Sequence, residues 1–240
     1  MNVMIEAEGI SKFYGAFVAV QDISFRILAN QVVAMVGPNG AGKTTLMKIL
    51  TGYLAPTAGT AAVAGHDVQR ARMGAATHVG YLPENGPLYL DMTALELLRF
   101  FGEARGLMPN QLRHRIKAVV HQCSLQHIVE KPVGKLSKGF RRRVSLAVAL
   151  LHDPPVLIVD EPTAGLDPNQ VRQFRDLMAD LRQIKTILVS THMLSEVMAV
   201  ADRVMLINDG RMVFDGPPAE LVAGDSPEEA FYRLTRGATT

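Results

Sequence analysis

Eight residues, Gly37-Pro38-Asn39-Gly40-Ala41-Gly42-Lys43-Thr44, bring together what the handling of a polyphosphate requires. They match the spacing G-x-x-x-x-G-K-[ST], in which glycines let successive backbone N–H groups turn inward as an anion-binding nest. Lys43 adds a point charge that reaches β- and γ-phosphates, and the Thr44 hydroxyl is suited to Mg²⁺. The setting agrees with the motif. Val32-Val33-Ala34-Met35-Val36 before it reads as a buried strand, and Thr45 to Leu50 after it has helical spacing, so a helix N-terminus adds its positive dipole end to the loop. The plain alternative, an ordinary glycine-rich turn between strand and helix, is disfavoured by motif and context together.

Four more groups could do chemistry or bind a ligand. The apolar run Val156 to Val159 has the character of a central parallel strand and ends in two adjacent carboxylates, Asp160 and Glu161. A second such run, Thr186 to Val189, ends at Ser190-Thr191-His192. In open α/β sheets ligands collect at the carboxyl ends of the strands, which is also where the phosphate loop lies. A lone histidine is ordinarily a satisfied polar residue, but one that shares a sheet edge with Lys43 and Glu161 favours a functional reading. Ser137 and Gly139 open a further helix, either as a simple cap or as a second anion site, since orphan N–H groups and dipole serve both. Upstream, Phe13-Tyr14-Gly15 reads as a turn whose ring could stack on a base or merely pack.

The elements that must position these groups can be followed along the chain. Ile5 to Ile10 and Ile23 to Ile27 alternate apolar with polar, the period of half-buried antiparallel strands. Gly52 caps the helix that follows the phosphate loop, and short strands are expected around Thr60 to Val63 and at Val79 to Leu82. The latter runs into the loop 83–87. Thr93 and Glu96 form a capping box for a helix with Leu95, Leu98 and Phe101 on one face, and a second helix after Pro109 carries Leu112, Ile116, Val119 and Val120. These two stripes suggest a helical subdomain, approximately residues 88–135, inserted between halves of a sheet. A helix with Val144, Val148 and Leu151 is closed by Pro154-Pro155. Residues 203–240 hold a hairpin, a short helix from Ser226 and a frayed tail from Arg236, all within one domain, 1–240.

Composition sets the outer bounds. With 240 residues and 48% hydrophobic content the chain can bury a sizeable core, and no apolar run approaches the ~18 residues of a membrane span. Glu6 and Glu8 replace the basic start of a signal peptide, and one cysteine, Cys123, fits a reducing cytosol. A net charge of +2, from 25 basic and 23 acidic residues, makes no case for nucleic acid. Arg141, Arg142 and Arg143 are expected as a solvated or locally paired helix start.

Taken in order, these motifs resemble the nucleotide-binding subunit of ABC transporters over nearly the whole chain. Gly37 to Thr44, with Thr45, is similar to the Walker A loop, and Val156 to Asp160 with Glu161 to the Walker B strand and its catalytic glutamate. Ala164 to Asp167 is similar to the D-loop, His192 to the switch histidine and Tyr14 to the adenine-stacking aromatic. Leu136 to Phe140 sits where the signature LSGGQ is expected. Two departures stand out: the signature reads LSKGF, with Lys138 and Phe140 replacing a glycine and a glutamine, and the usual Q-loop glutamine is Glu84. Both resemble the subgroup of gliding-motility, antibiotic and multidrug exporters.

The resemblance implies an α/β P-loop NTPase core of mostly parallel sheet, an N-terminal antiparallel β-subdomain and an inserted α-helical subdomain. It implies ATP and Mg²⁺, with Thr44, Asp160 and Glu84 near the metal, Glu161 polarising the attacking water and His192 on the γ-phosphate. ATP would be sandwiched in a head-to-tail homodimer or heterodimer, Ser137 and Gly139 of one subunit facing Walker A of the other. The partner so implied is a permease on a separate chain, which holds the protein on the cytoplasmic membrane face for export. An importer ATPase and a soluble relative acting on ribosomes or DNA are the alternatives. Against a GTPase stands the lack of an Asn-Lys-x-Asp sequence.

Overall fold

The computed structural model describes residues 2–236 except 87, 195–197, 199, 223 and 225. Pro87 of the loop 83–87 and residues 237–240 of the expected tail therefore lie outside the described residues.

The N-terminal alternation becomes β1 (Val3–Tyr14) and β2 (Phe17–Leu28), paired antiparallel. The strand extends further than expected: Tyr14 is still paired, opposite Phe17, and only Gly15 and Ala16 make the reversal. After β3 (Val32–Val36) and α1 (Lys43–Leu50), β4 (Ala58–Val63) pairs with β1, and β5 (His66–Asp67) pairs with β4. The resulting four-stranded sheet has the order β2-β1-β4-β5. A short helix, α2 (Arg72–Thr77), has no apolar period in the sequence to announce it and buries only Ala75.

The chain then builds the larger sheet. It contains β6 (Val79–Leu82), β7 (Val156–Val159), β8 (Thr186–Thr191), β9 (Arg203–Asn208) and β10 (Arg211–Gly216), with β3 at its centre. The order is β10-β9-β3-β8-β7-β6, and every neighbouring pair is parallel except the β9–β10 hairpin. Between β6 and β7 the chain forms α3 (Ala94–Ala104), α4 (Pro109–Gln122) and α5 (Lys138–Leu150), which pack on one another. The Thr93–Glu96 capping box is formed at α3, and Pro109 takes the first turn of α4, where its missing N–H costs nothing. α6 (Pro168–Leu181) connects β7 to β8, and helices Pro218–Val222 and Pro227–Arg236 follow the hairpin.

The larger sheet divides two apolar cores. Side chains of a strand alternate between faces, so Val33 and Met35 join Leu46, Met47, Ile49 and Leu50 of α1 and the inner face of the antiparallel sheet. Val32, Ala34 and Val36 face the other way, into a core shared with Leu97 and Leu98 of α3, Ile116 and Val119 of α4, and Val144 and Leu150 of α5. Cys123 is fully buried in this second core, and burial pushes its thiol up to about 12, so it packs as a small apolar residue.

Polar ties hold the helices to the sheet where α5 turns into β7. Arg115 donates to the carbonyls of Leu150 and Leu151 at 3.0 Å and reaches Asp153, which also receives buried Lys185 at 2.9 Å. Beside them His152 is pushed down from 6.5 to about 4, first by burial and then by the charge of Arg105, whose Nη1 lies 3.1 Å from Nε2. The fold thus favours the neutral ring. On acidification the unfolded chain takes up this proton near 6.5, the folded chain only near 4. Stability from this group is full above 6.5 and declines as the pH falls through that window. We expect the urea midpoint to fall from pH 6.5 to 4, and His152→Gln to flatten that decline; an unchanged slope in the variant would remove His152 as its source.

Candidate active site

Three parallel strands deliver the chemistry to one edge. β3 ends at Val36, opposite Thr191 of β8, and β7 pairs Val159 with Val189. The phosphate loop, Asp160-Glu161 and His192 therefore leave the sheet side by side. The loop is shaped by its glycines. Gly42 has φ 106°, and a Cβ there would lie 2.3 Å from the Ala19 carbonyl, so no other residue fits. As the N-cap of α1 it offers no side chain to the first-turn amides, which remain for an anion.

The loop 39–45 walls an open cavity of about 470 Å³, completed by Glu84, Glu161, Ala164 and His192, with Phe17 and Ala19 from β2. Of the expected groups, Asn39 to Thr45, Glu84, Glu161 and His192 line it, whereas Gly37, Pro38, Asp160, Tyr14, Ser137 and Gly139 do not. Lys43 is buried, and its Nζ donates to the carbonyls of Gly37 and Pro38 at 2.7 and 3.0 Å. The same Nζ lies 3.5 Å from Glu161 Oε1, a pair of buried opposite charges. The other carboxylate oxygen, Oε2, lies 2.8 Å from Nδ1 of His192. Glu161 has φ 44°, a left-handed backbone uncommon for a residue with a side chain.

A residue of β8 fixes this conformation. Ser190, fully buried, donates its hydroxyl to Asp160 Oδ1 at 2.6 Å and accepts the Glu161 N–H at 2.9 Å. Asp160 is 1% exposed, and its second oxygen, Oδ2, has no hydrogen-bond partner among the described residues. An orphaned buried carboxylate oxygen next to a phosphate site suits Mg²⁺, which keeps its waters and takes one or two carboxylates beside phosphate oxygens. The residues present therefore fit the metal.

Other expectations are met differently. Tyr14 is half exposed with Lys12 Nζ 5.3 Å from its ring centre, and it does not line the cavity; Phe17, its register partner, does. Ser137 and Gly139 also stay apart from Lys43 within this chain. Ser137 is exposed and caps α5 by accepting the Phe140 N–H, while Gly139 is buried against Gln170, whose side chain occupies the place of a Cβ. Lys138, the residue in place of a signature glycine, reaches back so that its Nζ takes the space of a Cβ on Gly165.

The basic run is the solvated or locally paired helix start expected of it only at Arg141 and Arg143. Arg141 is locally paired, donating to Leu136, and Arg143 reaches Gln173. Arg142 instead turns inward against the carbonyls that follow β6 and β7, and burial pushes its guanidinium down to about 10, so it stays charged at neutral pH. Neither Arg142 nor Ser190 has a motif of its own. The one available signal is position: Ser190 precedes the strand-end His192, and Arg142 lies on the inward face of a helix.

Comparison with known proteins bears on the family and the fold. The family model described as ABC transporter matches residues 20–164. The chain is 36% identical over 226 residues to the ABC transporter ATP-binding protein NatA of Bacillus subtilis strain 168, covering 91% of this chain and 92% of that one. It is 37% identical over 223 residues to the Nod factor export ATP-binding protein I of Paraburkholderia xenovorans strain LB400, covering 92% and 73%. A solved ATP-binding subunit of an ABC transporter superposes with a TM-score of 0.86 at 27% identity, covering 96% of this chain and 99% of that one.

Ser190 gives the site its own stability test. Ser190→Ala removes the donor to a buried carboxylate and the acceptor of a buried N–H, at a cost of about 1–3 kcal/mol. Urea unfolding should show a lower midpoint with an unchanged slope; an equal midpoint would mean that the hydroxyl does not hold the Asp160 carboxylate and the Glu161 backbone.

Proposed function

The chain belongs to the ABC transporter family of ATP-binding proteins, and on that premise we propose that it hydrolyses ATP with Mg²⁺ to drive a permease carried on a separate polypeptide. One observation carries the reading: Lys43, Glu84, Glu161 and His192 line a single cavity with the phosphate loop, beside the orphaned oxygen of Asp160. Polyphosphate binds along the amides of 39–45, and its terminal group replaces Glu161 as the partner of Lys43. Glu161 is then free to accept a proton from water, with His192 within reach of both carboxylate and phosphate. Thr44, Asp160 and Glu84 would hold Mg²⁺, which neutralises charge on the β- and γ-oxygens when bound. The protein's share is placement and electrostatics, most of what phosphoryl transfer demands. The adenine stacks on Phe17 at the cavity wall, with Tyr14 as its register partner across the hairpin.

Ser137 and Gly139 act in trans. Their separation from Lys43 in one chain supports a head-to-tail dimer, homomeric or heteromeric, in which each α5 start meets the partner's nucleotide. The permease docks in a groove beside Glu84, at Tyr89 and the helix from Thr93; Tyr89 is half exposed and packs edge-on against Phe100, 5.5 Å between ring centres, whereas Leu88, expected beside it, packs partly buried against the core. Docked there, the subunit lies on the cytoplasmic face of the membrane; among the described residues no helix is long and apolar enough to cross it. Export is the direction in the printed name of the Nod factor relative, and the one we propose here.

Two experiments test the reading. Lys43→Ala should weaken ATP binding, whereas Glu161→Gln should retain it and lower turnover by about 100-fold or more. Equal turnover in wild type and Glu161→Gln sinks the assignment. Light scattering should show Glu161→Gln dimerising with ATP and dissociating with ADP, and the added substitution Ser137→Arg should block dimerisation. A Ser137→Arg, Glu161→Gln protein that still dimerises with ATP refutes the trans site.

A further inference from the structure

Each N–H of the Arg142 guanidinium meets a backbone carbonyl. Nη1 donates to Pro83 and Glu84 at 2.6 and 2.7 Å, Nη2 to Asp160 and Glu161 at 2.5 and 3.0 Å, and Nε to Pro162 at 3.3 Å. A guanidinium has five N–H groups in a rigid fork, so its capacity is filled. The acceptors belong to two separate segments. Pro83 and Glu84 follow β6, whereas Asp160, Glu161 and Pro162 follow β7. Register between the two strands ends at Leu82 and Val159, and Arg142 joins them beyond that point.

Arg142 also belongs to a third element. It sits in the second turn of α5, the helix that Ser137 caps. One side chain therefore connects the exposed cap to the backbone of Glu84 and Glu161, both on the cavity wall. Its charge has a further use. Glu84 adds a carboxylate to the cavity wall that Glu161 shares, and Asp160, Glu84 and Glu161 all attract the Arg142 cation.

We propose that Arg142 is a positioning residue for hydrolysis: it clamps the Glu84 and Glu161 backbones to the signature helix and offsets the charge that Glu84 adds. The proposal rests on the ATPase reading above. Movement of the α5 start against a partner's nucleotide is thereby passed to the two carboxylates through hydrogen bonds to their own carbonyls. Lysine cannot replace this arrangement. It keeps the charge but has three donors on a flexible stem, too few for five carbonyls on two segments.

The test compares Arg142→Lys, Arg142→Gln and Glu84→Gln in the full chain. Arg142→Lys should bind Mg-ATP within about threefold of wild type while kcat falls by about tenfold or more, because the phosphate loop is untouched. In hydrogen exchange, amides in 83–86 and 160–164 should exchange faster, with those of α1 unchanged. Glu84→Gln should change kcat by a different factor in the Arg142→Gln background than in wild type, as groups coupled through charge do. Wild-type kcat in Arg142→Lys overturns the proposal, and so do factors that simply multiply. Faster exchange throughout, α1 included, makes Arg142 a general scaffold residue and overturns it too. A wild type that binds Mg-ATP without turnover would remove the ATPase reading; exchange in 83–86 and 160–164 then decides Arg142 alone, unchanged rates refuting the clamp.

Discussion

Parallel pairing in register is the constraint on which the site depends. Val36 lies opposite Thr191, Val189 opposite Val159, and Val159 opposite Leu82, so four strands stop within a residue or two of the same line. Whatever follows each strand must emerge at that line. The phosphate loop, Asp160-Glu161, His192 and Glu84 are brought together by where the strands end, although they are far apart in the chain. A slip of one residue in β3 would exchange the two cores as well as moving the loop, because successive side chains face opposite ways. Burial on both faces therefore fixes the geometry of the edge.

At that edge the strongest forces come from charge held out of water. Lys43 and Glu161 are buried at 3.5 Å. At an effective dielectric near 20 such a pair gains roughly 4–5 kcal/mol, and desolvation costs several kcal/mol for each ion, so the net contribution to stability is small. Under the proposed function that near balance has a use: an incoming phosphate would bring its own negative charge to Lys43 and take the place of Glu161 without a large loss. Glu161 meanwhile sits in a left-handed backbone conformation that costs about 1–3 kcal/mol and persists only because neighbours such as Ser190 and Arg142 hold it.

The parts legible in the sequence are those with local causes. Gly37 to Thr44, the runs of buried strand, the Thr93–Glu96 box and the Asn208–Gly210 hairpin each declare themselves within a few residues, and all are present. What escapes a sequence reading depends on distance along the chain. Arg142 resembles its two arginine neighbours because its acceptors lie 59 and 18 residues away, and backbone carbonyls leave no mark in a sequence. Ser190 acts through a neighbouring strand in the same way. Phe17 is hidden behind Tyr14 because Gly15 suggests a turn that begins before it, whereas the two aromatics face each other across the hairpin. Gly139 reads as an anion contact or part of a cap; its packing against Gln170 needs the position of α6.

The divided core has a consequence for how such a chain can diverge. The antiparallel sheet and α1 pack on one face of the larger sheet, and α3, α4 and α5 on the other, with strand backbones as the shared layer. Interiors are close-packed and transmit strain, so a change of side-chain volume is felt first within its own core and reaches the other only through the shared strand layer. The helical side can therefore accumulate substitutions and be remodelled toward new protein surfaces while the nucleotide side keeps its shape. The polar ties that cross between them, such as Arg115 with the carbonyls of Leu150 and Leu151, constrain only a few positions. Descent with modification can thus treat one chain as two inheritable halves, one kept and one free to change.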